Sequence, residues 1–186
     1  MKNFFIIIVL MSFVFVNCDG RKSKSEALKE SIAKFKKNQS AVETVYYYPT
    51  EYTEVVTYTL ISNKVNVYIK NYSLLNKSIS ISVEDHTNDT NKTEHRIFES
   101  EVLVSAPNKE ILKMHISAEK FKSMYSDDFW NHATLQHVWV NQELSTSEDI
   151  QLDMSFINPS DHSFKLYRMS VDSHGKHQIN LIEEQS

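Results

Sequence analysis

Apolar and polar positions along this chain follow three different rhythms, and each change of rhythm marks a boundary. After Met1, Lys2 and Asn3, the run from Phe4 to Val16 ("FFIIIVLMSFVFV") is apolar apart from Ser12. Crossing the hydrocarbon of a bilayer takes about 20 apolar residues, so the run is too short to span one. A charged start, a short apolar core and an abrupt end have the layout of a secretory signal peptide.

From Ser23 to Gln39 the rhythm is helical. Leu28, Ile32 and Phe35 fall at i, i+4 and i+7 and make one narrow apolar stripe. Ser23 or Ser25 is placed to cap the start, Glu26 lies in the first turn, and Lys36 and Lys37 suit the negative end of the helix dipole. The pattern predicts one amphipathic helix.

From Thr53 onward the period is two. "KVNVYIK" sets Val65, Val67 and Ile69 against polar neighbours, and "SISISVE" does the same with Ile79, Ile81 and Val83. Strict alternation predicts strands with one buried and one wet face, as in antiparallel sheets. Further strands are expected over 94–105, 110–117, 135–141, 149–157, 163–172 and 176–182, with Ile150, Leu152, Met154 and Phe156 as one inner row. Turn signals separate them at Asn76-Lys77, at 86–94, at 106–108 and at "SHGK", which predicts a hairpin around Gly175. The segment Ser117–Ala133 breaks the alternation and reads as a short helical crossover. The expected fold is mainly β (α+β): an antiparallel meander or small two-sheet sandwich of about eight strands, with one N-terminal amphipathic helix and the crossover. The expected organisation is a signal peptide at 1–17, a lipid-anchor tether and helix at 18–40, and a β-rich domain at 41–186.

Charge sharpens this division. The 186 residues carry a formal charge of −4, but Arg21 to Lys37 holds seven basic and two acidic residues. Removing that +5 segment, together with Lys2 and Asp19, which cancel, leaves −9 on residues 38–186. An acidic body excludes nucleic acid as a partner, because phosphate recognition needs clustered Lys and Arg. The basic segment is either a solvated helix face or a contact for anionic headgroups. With only 2 glycines there is no glycine-rich phosphate loop and no GxSxG nucleophile elbow.

Three constellations carry potential chemistry. Among the eight histidines, His174 and His177 are spaced HxxH, and His132 and His137 are five apart. A zinc site takes three or four convergent ligands, and no second cluster completes one, so neither a metal nor another cofactor is expected. "SDDFWNHATLQHVWV" packs Asp127, Asp128, Trp130, His132, His137 and Trp139 together; paired carboxylates beside a histidine suit acid–base work, with Asp128 and His132 as the pair an envelope enzyme would use. "VYYYPTEYTEVV" gathers Tyr46, Tyr47, Tyr48 and Tyr52 around Pro49. These tyrosines, with Trp130 and Trp139, are the expected binding residues for a protein or glycan, since large rings with few rotors dominate interface contacts. The opposing reading makes the tyrosines a lid and the tryptophans core. A non-catalytic binding module is the expected function, and no catalytic residue is assigned.

The only cysteine, Cys18, sits where the first apolar run gives way to charge, in "FVFVNCDG". Here the sequence resembles a bacterial lipoprotein signal. That resemblance implies a lipidated Cys18 thiol bearing palmitate-type acyl chains, removal of residues 1–17, and attachment to a membrane by lipid. The stretches "YYPTEYTEVV…LISNKVNVYIKNYSLLNKSISI" and "FWNHATLQHVWV" resemble small lipoproteins of the Bacteroidetes group. This implies a cell-envelope location and carries no activity over to individual residues. Surface-exposed members often follow the cysteine with acidic residues. Here Asp19 is followed by Gly20, Arg21 and Lys22, which points to the periplasmic side.

Overall fold

The computed structural model describes residues 23–38, 44–81 and 91–185. Cys18, the apolar run before it and the polar turn at 86–90 lie outside the described residues. The chain divides into two units at Val42 and Glu43.

The first unit contains α1 (Lys24–Asn38). Ser23 and Glu26 close a reciprocal cap: the Glu26 N–H donates to Ser23 Oγ at 3.2 Å, and the Ser23 N–H donates to Glu26 Oε2 at 3.0 Å. Two backbone donors that the first turn leaves open are thereby satisfied. Glu30 and Lys34 pair at 3.3 Å one turn apart. Leu28, Ile32 and Phe35 are exposed on this helix.

The second unit is a two-sheet β structure. Its first sheet contains β1 (Thr44–Tyr48), β2 (Glu54–Ile61), β3 (Val65–Ile81), β4 (Asn91–Ala106) and β5 (Lys109–Ser117), with β1-β4-β3-β2 as neighbours and β5 also paired to β4. The strand β4 is long enough to take two partners on the edge away from β3. Its Glu99–Ala106 half pairs antiparallel with β5, and its Asn91–His95 end pairs with β1. The second sheet is β6 (Thr134–Val140), β7 (Asp149–Ile157), β8 (Phe164–Asp172) and β9 (His177–Gln185) in sequential antiparallel order. A short helix α2 (Ala118–Met124) and a 3₁₀ turn at Asp128–Asn131 cross between them. Ser117 caps α2, and the Asp127 carboxylate accepts from the Phe129 N–H at 3.0 Å to start the turn.

The inner rows are those the alternation predicts. Val65, Val67, Ile69, Val102 and Val104 of the first sheet meet Leu135, Val138, Ile150, Leu152, Met154 and Phe156 of the second. Each such side chain contributes roughly 1.5–3 kcal/mol when fully buried. One end of this core is an aromatic knot. Phe121 of α2 lies 4.4 Å from Phe156 and 5.0 Å from Tyr167 between ring centroids, with Trp130 5.3 Å away. Burial pushes the Tyr167 phenol up to about 12.

The mainly β fold and the Gly175 hairpin match the expectation. Three details do not. Asn76-Lys77 is no turn: β3 runs through it as one strand and absorbs the irregularity as a register shift between Ser73 and Ser78. The segment Thr44–Tyr48 is a strand rather than a loop, giving nine strands among the described residues, and its pairing with β4 is parallel.

Candidate binding surface

The four tyrosines of the predicted platform are presented by β1 and the loop that follows it. All five residues of β1 are exposed. Its register places Tyr47 opposite Glu94 and Tyr48 opposite His95. The Tyr48–Pro49 peptide is cis.

Arg96, two residues beyond Glu94 on β4, organises this stretch. It is only 8% exposed, yet it is bonded to backbone rather than to a carboxylate. Its Nε donates to the Pro49 carbonyl at 2.8 Å, Nη1 to Leu75 at 2.6 Å and Nη2 to Thr50 at 3.2 Å. The guanidinium lies over the Tyr47 ring, 4.7 Å from its centroid. A planar fork of donors suits this task, because one side chain reaches several carbonyls at fixed angles and still stacks on a ring. The irregular part of β3 supplies the Leu75 carbonyl, so the interruption in that strand serves as an anchor for the tyrosine loop.

The far end of the loop is fixed as well. Thr53 and Ser73 exchange two bonds: the Thr53 N–H donates to Ser73 Oγ, and the Ser73 N–H donates to the Thr53 carbonyl, both at 2.9 Å. Tyr52 donates its hydroxyl to Glu54, which also pairs with Lys70 at 2.9 Å. The bond to Glu54 raises the Tyr52 phenol above its usual range, and the same bond lowers the Glu54 carboxyl. Held between these anchors, Tyr46, Tyr47, Tyr48 and Tyr52 remain 56%, 44%, 67% and 47% exposed.

A polar row continues from Tyr47. The Glu94 carboxylate accepts from Ser78 Oγ and Ser80 Oγ, each at 2.7 Å, and pairs with Lys92 at 2.9 Å. The lysine bond and then the two serine bonds hold its carboxyl at about 2. Tyr48 meets His95 at 5.6 Å, and burial keeps that imidazole below its usual value. Ser78 and Ser80 also line a cleft of about 640 Å³ with Lys77, Glu99, Lys122 and Asn131. Glu94, opposite Tyr47 in the register, is thus bonded to two serines that line a cleft of mixed apolar and charged character.

The tryptophans lie apart from the exposed tyrosines. Trp130 is 3% exposed, 5.0 Å from both Phe129 and Phe156 between ring centroids. It is packed into the core by five neighbouring rings, and it also backs the cleft that Ser78 and Ser80 line. Trp139 is half-buried on the second sheet, stacked on His137 at 6.0 Å and 21°. Its register places it opposite Asp153, whose carboxylate is bonded by Arg168 at 2.6 and 3.0 Å and by Asn141 at 3.0 Å.

Asp128 and His132 do share a cleft, of about 530 Å³, with Asp127, Asp161, Lys165 and Glu184. Lys165 bridges Asp127 and Glu184, and its bond to Asp127 holds that carboxyl below the usual range. His137 lies apart, beside Trp139. His174 and His177 flank the Gly175 turn, and among the described residues no group of three or more His, Cys, Asp or Glu is placed to hold a metal ion.

Sequence reasoning found the tyrosines but missed Arg96, Glu94, Ser78 and Ser80. No local motif marks them, because the partners of Arg96 are backbone carbonyls from two distant segments. No protein-family model matches the chain, and no curated protein sequence matches it either. Among the described residues no helix is long and apolar enough to cross a membrane.

Proposed function

We propose that this chain is a lipid-anchored protein of the bacterial cell envelope, held by Cys18 and facing the periplasm, whose β domain is a non-catalytic binding module for a protein or glycan. The Tyr46–Tyr52 segment, the end of β1 and the loop after it, is its contact surface. One observation carries this reading: a buried arginine ties the backbone of Pro49 and Thr50 to that of Leu75 in β3, while four tyrosine rings beside it stay exposed. A loop ordered before binding loses little entropy when a partner arrives, which is how preorganised aromatic surfaces gain affinity. The anchor rests on the short apolar run that ends at the only cysteine.

The test compares the wild-type chain, isolated with its native membrane, with Tyr47→Ala and Tyr48→Ala. Bound proteins are identified by mass spectrometry, and binding to envelope glycans is measured on an array. Loss of the same partner from both variants, with unchanged melting, supports the reading; identical binding by all three overturns it. Intact mass tests the anchor, which requires a chain beginning at Cys18 with an added acyl-glyceryl group.

A second reading, an acid–base enzyme, is favoured by the shared cleft of Asp128 and His132. It ranks lower because Asp127 and Lys165 are already committed to each other. Turnover of an envelope substrate that is lost in Asp128→Asn would raise it.

A further inference from the structure

Among the described residues five strands have an open edge; four are guarded, and β2 is not. The strand β1 has five residues and ends at Pro49. The strand β5 carries Lys109, Glu110 and Lys113 and a register shift against β4. The strand β9 carries Glu183 and Glu184 near its end and is shifted against β8. The strand β6 is engaged by the Asn71 side chain at Val138. Short length, charge, proline and bulges are the usual means of keeping an edge from pairing. The strand β2, "EVVTYTLI", has eight residues, no lysine, proline or glycine, and an unshifted register from Glu54 opposite Tyr72 to Ile61 opposite Val65.

It carries exposed apolar side chains on both faces. Val55 lies on one face; Val56, Tyr58 and Leu60 lie on the other, with Tyr58 80% exposed. On that second face Tyr58 and Tyr68 are 5.1 Å apart, and with Leu60 and Leu103 they line a groove of about 530 Å³.

We propose that β2 is a dimerisation strand: a second copy of this chain pairs its own β2 antiparallel to it, so that one continuous sheet runs through both copies. The charge pattern selects this occupant. The chain enters the strand past exposed Glu51 and leaves it through a turn ending at exposed Lys64, while Glu54 is already paired with Lys70. Antiparallel self-pairing lays the acidic start of each copy along the basic end of the other, twice over. A register centred at Thr57 or Tyr58 also keeps like faces together, since side chains alternate with period two. Val56 then meets Tyr58 or Leu60 of the second copy, pairs that favour strand association. A two-fold pairing consumes both β2 edges and stops, whereas a head-to-tail contact between different edges would propagate. The proposal does not depend on a binding role for the tyrosines. It places Tyr46, Tyr47 and Tyr48 of β1 at the outer end of each half of the joined sheet, while Glu51 and Tyr52 border the junction.

The experiment is sedimentation velocity on the full chain carrying Cys18→Ser in mild non-ionic detergent, with Val56→Lys and Tyr58→Lys added separately. The expected result is a species of twice the chain mass that becomes monomeric in both lysine variants while circular dichroism stays unchanged. Thr57→Cys and Tyr58→Cys, each in the Cys18→Ser background, supply an independent readout. At least one should form a disulfide-linked dimer under mild oxidation, while the exposed control Leu144→Cys should not. A monomer at all concentrations overturns the proposal. So does a dimer that survives both lysine variants and gives no β2 crosslink, or a foreign strand found on β2 of an otherwise monomeric chain.

Discussion

The side-chain amide of Asn71 and the backbone of Val138 bond to each other twice. Asn71 Nδ2 donates to the Val138 carbonyl at 3.2 Å, and the Val138 N–H donates to Asn71 Oδ1 at 3.1 Å. The amide thus imitates a neighbouring strand and joins β3 of one sheet to β6 of the other. It acts beside the register shift between Leu135 and His137, where β6 departs from regular pairing with β7. Both residues are buried. Asn71→Ala leaves a donor and an acceptor without partners, each costing about 1–3 kcal/mol. Urea unfolding is expected to show a loss of about 2–4 kcal/mol. Asn71→Asp should be no milder, because a carboxylate cannot donate to the Val138 carbonyl. A midpoint within error of wild type for Asn71→Ala would refute this account.

Arg96 should be irreplaceable by lysine. An ammonium group cannot reach Pro49, Thr50 and Leu75 at once, nor stack flat on Tyr47. Arg96→Lys is expected to raise hydrogen-exchange rates on the Tyr46–Thr53 segment by tenfold or more, while the second sheet keeps its protection. Equal exchange in both proteins would show that the loop is ordered by something else.

The alternation of β7 and the turn signal at Gly175 were legible because each is local: period two and a glycine in a polar quartet need no partner to be read. The parallel pairing of β1 was not, since "TVYYY" looks the same as loop or strand and only the length of β4 provides it an edge. Nor was the continuity of β3 across Asn76-Lys77, where pairing with β4 on both sides of the irregularity overrode a local turn preference. Trp130 and Tyr47 sit in equally aromatic stretches, yet one is core and the other surface. That difference lies in which groups converge from elsewhere in the chain: the rings of Phe121 and Phe156 on Trp130, and the guanidinium of Arg96 on Tyr47.

Glu94 should make stability depend on acid in a definable window. Its carboxyl is held at about 2 in the folded protein, against an ordinary value near 4.5. Between these values the unfolded chain binds more protons, so stability rises with pH. The contribution is fully present above the ordinary value and is lost as pH falls from about 4.5 toward about 2. The difference in unfolding free energy between wild type and Glu94→Gln, measured across this range, should shrink steadily on acidification. A difference independent of pH would sink the assignment.

Trp130 and Tyr48 should separate stability from binding. Trp130→Ala opens the aromatic knot and is expected to cost about 3–5 kcal/mol. Tyr48→Ala, at an exposed position, should stay within about 0.5 kcal/mol of wild type while weakening partner capture. Thermal melts of both variants, read beside the capture assay, decide the matter. Comparable destabilisation by the two would place Tyr48 in the core instead.

Gly175 closes the β8–β9 hairpin under two separate constraints. Its φ is +84°, and a Cβ built there would lie 2.2 Å from the Ile111 carbonyl oxygen of β5. The first constraint alone would cost an L-residue about 1–2 kcal/mol, and asparagine tolerates it better than alanine. The second is indifferent to side-chain chemistry, because the obstructing atom is backbone. The turn is also fastened by Lys109 Nζ, which donates to the Ser173 carbonyl at 2.8 Å, so it cannot easily swing away from β5. If conformation were the only issue, Gly175→Asn should be nearly neutral. If the close approach dominates, Gly175→Ala and Gly175→Asn should both lower stability by more than about 2 kcal/mol, beyond the conformational cost of either. Chemical denaturation of the pair distinguishes the cases: near-normal stability in the asparagine variant would mean that the hairpin lifts off β5 at little cost.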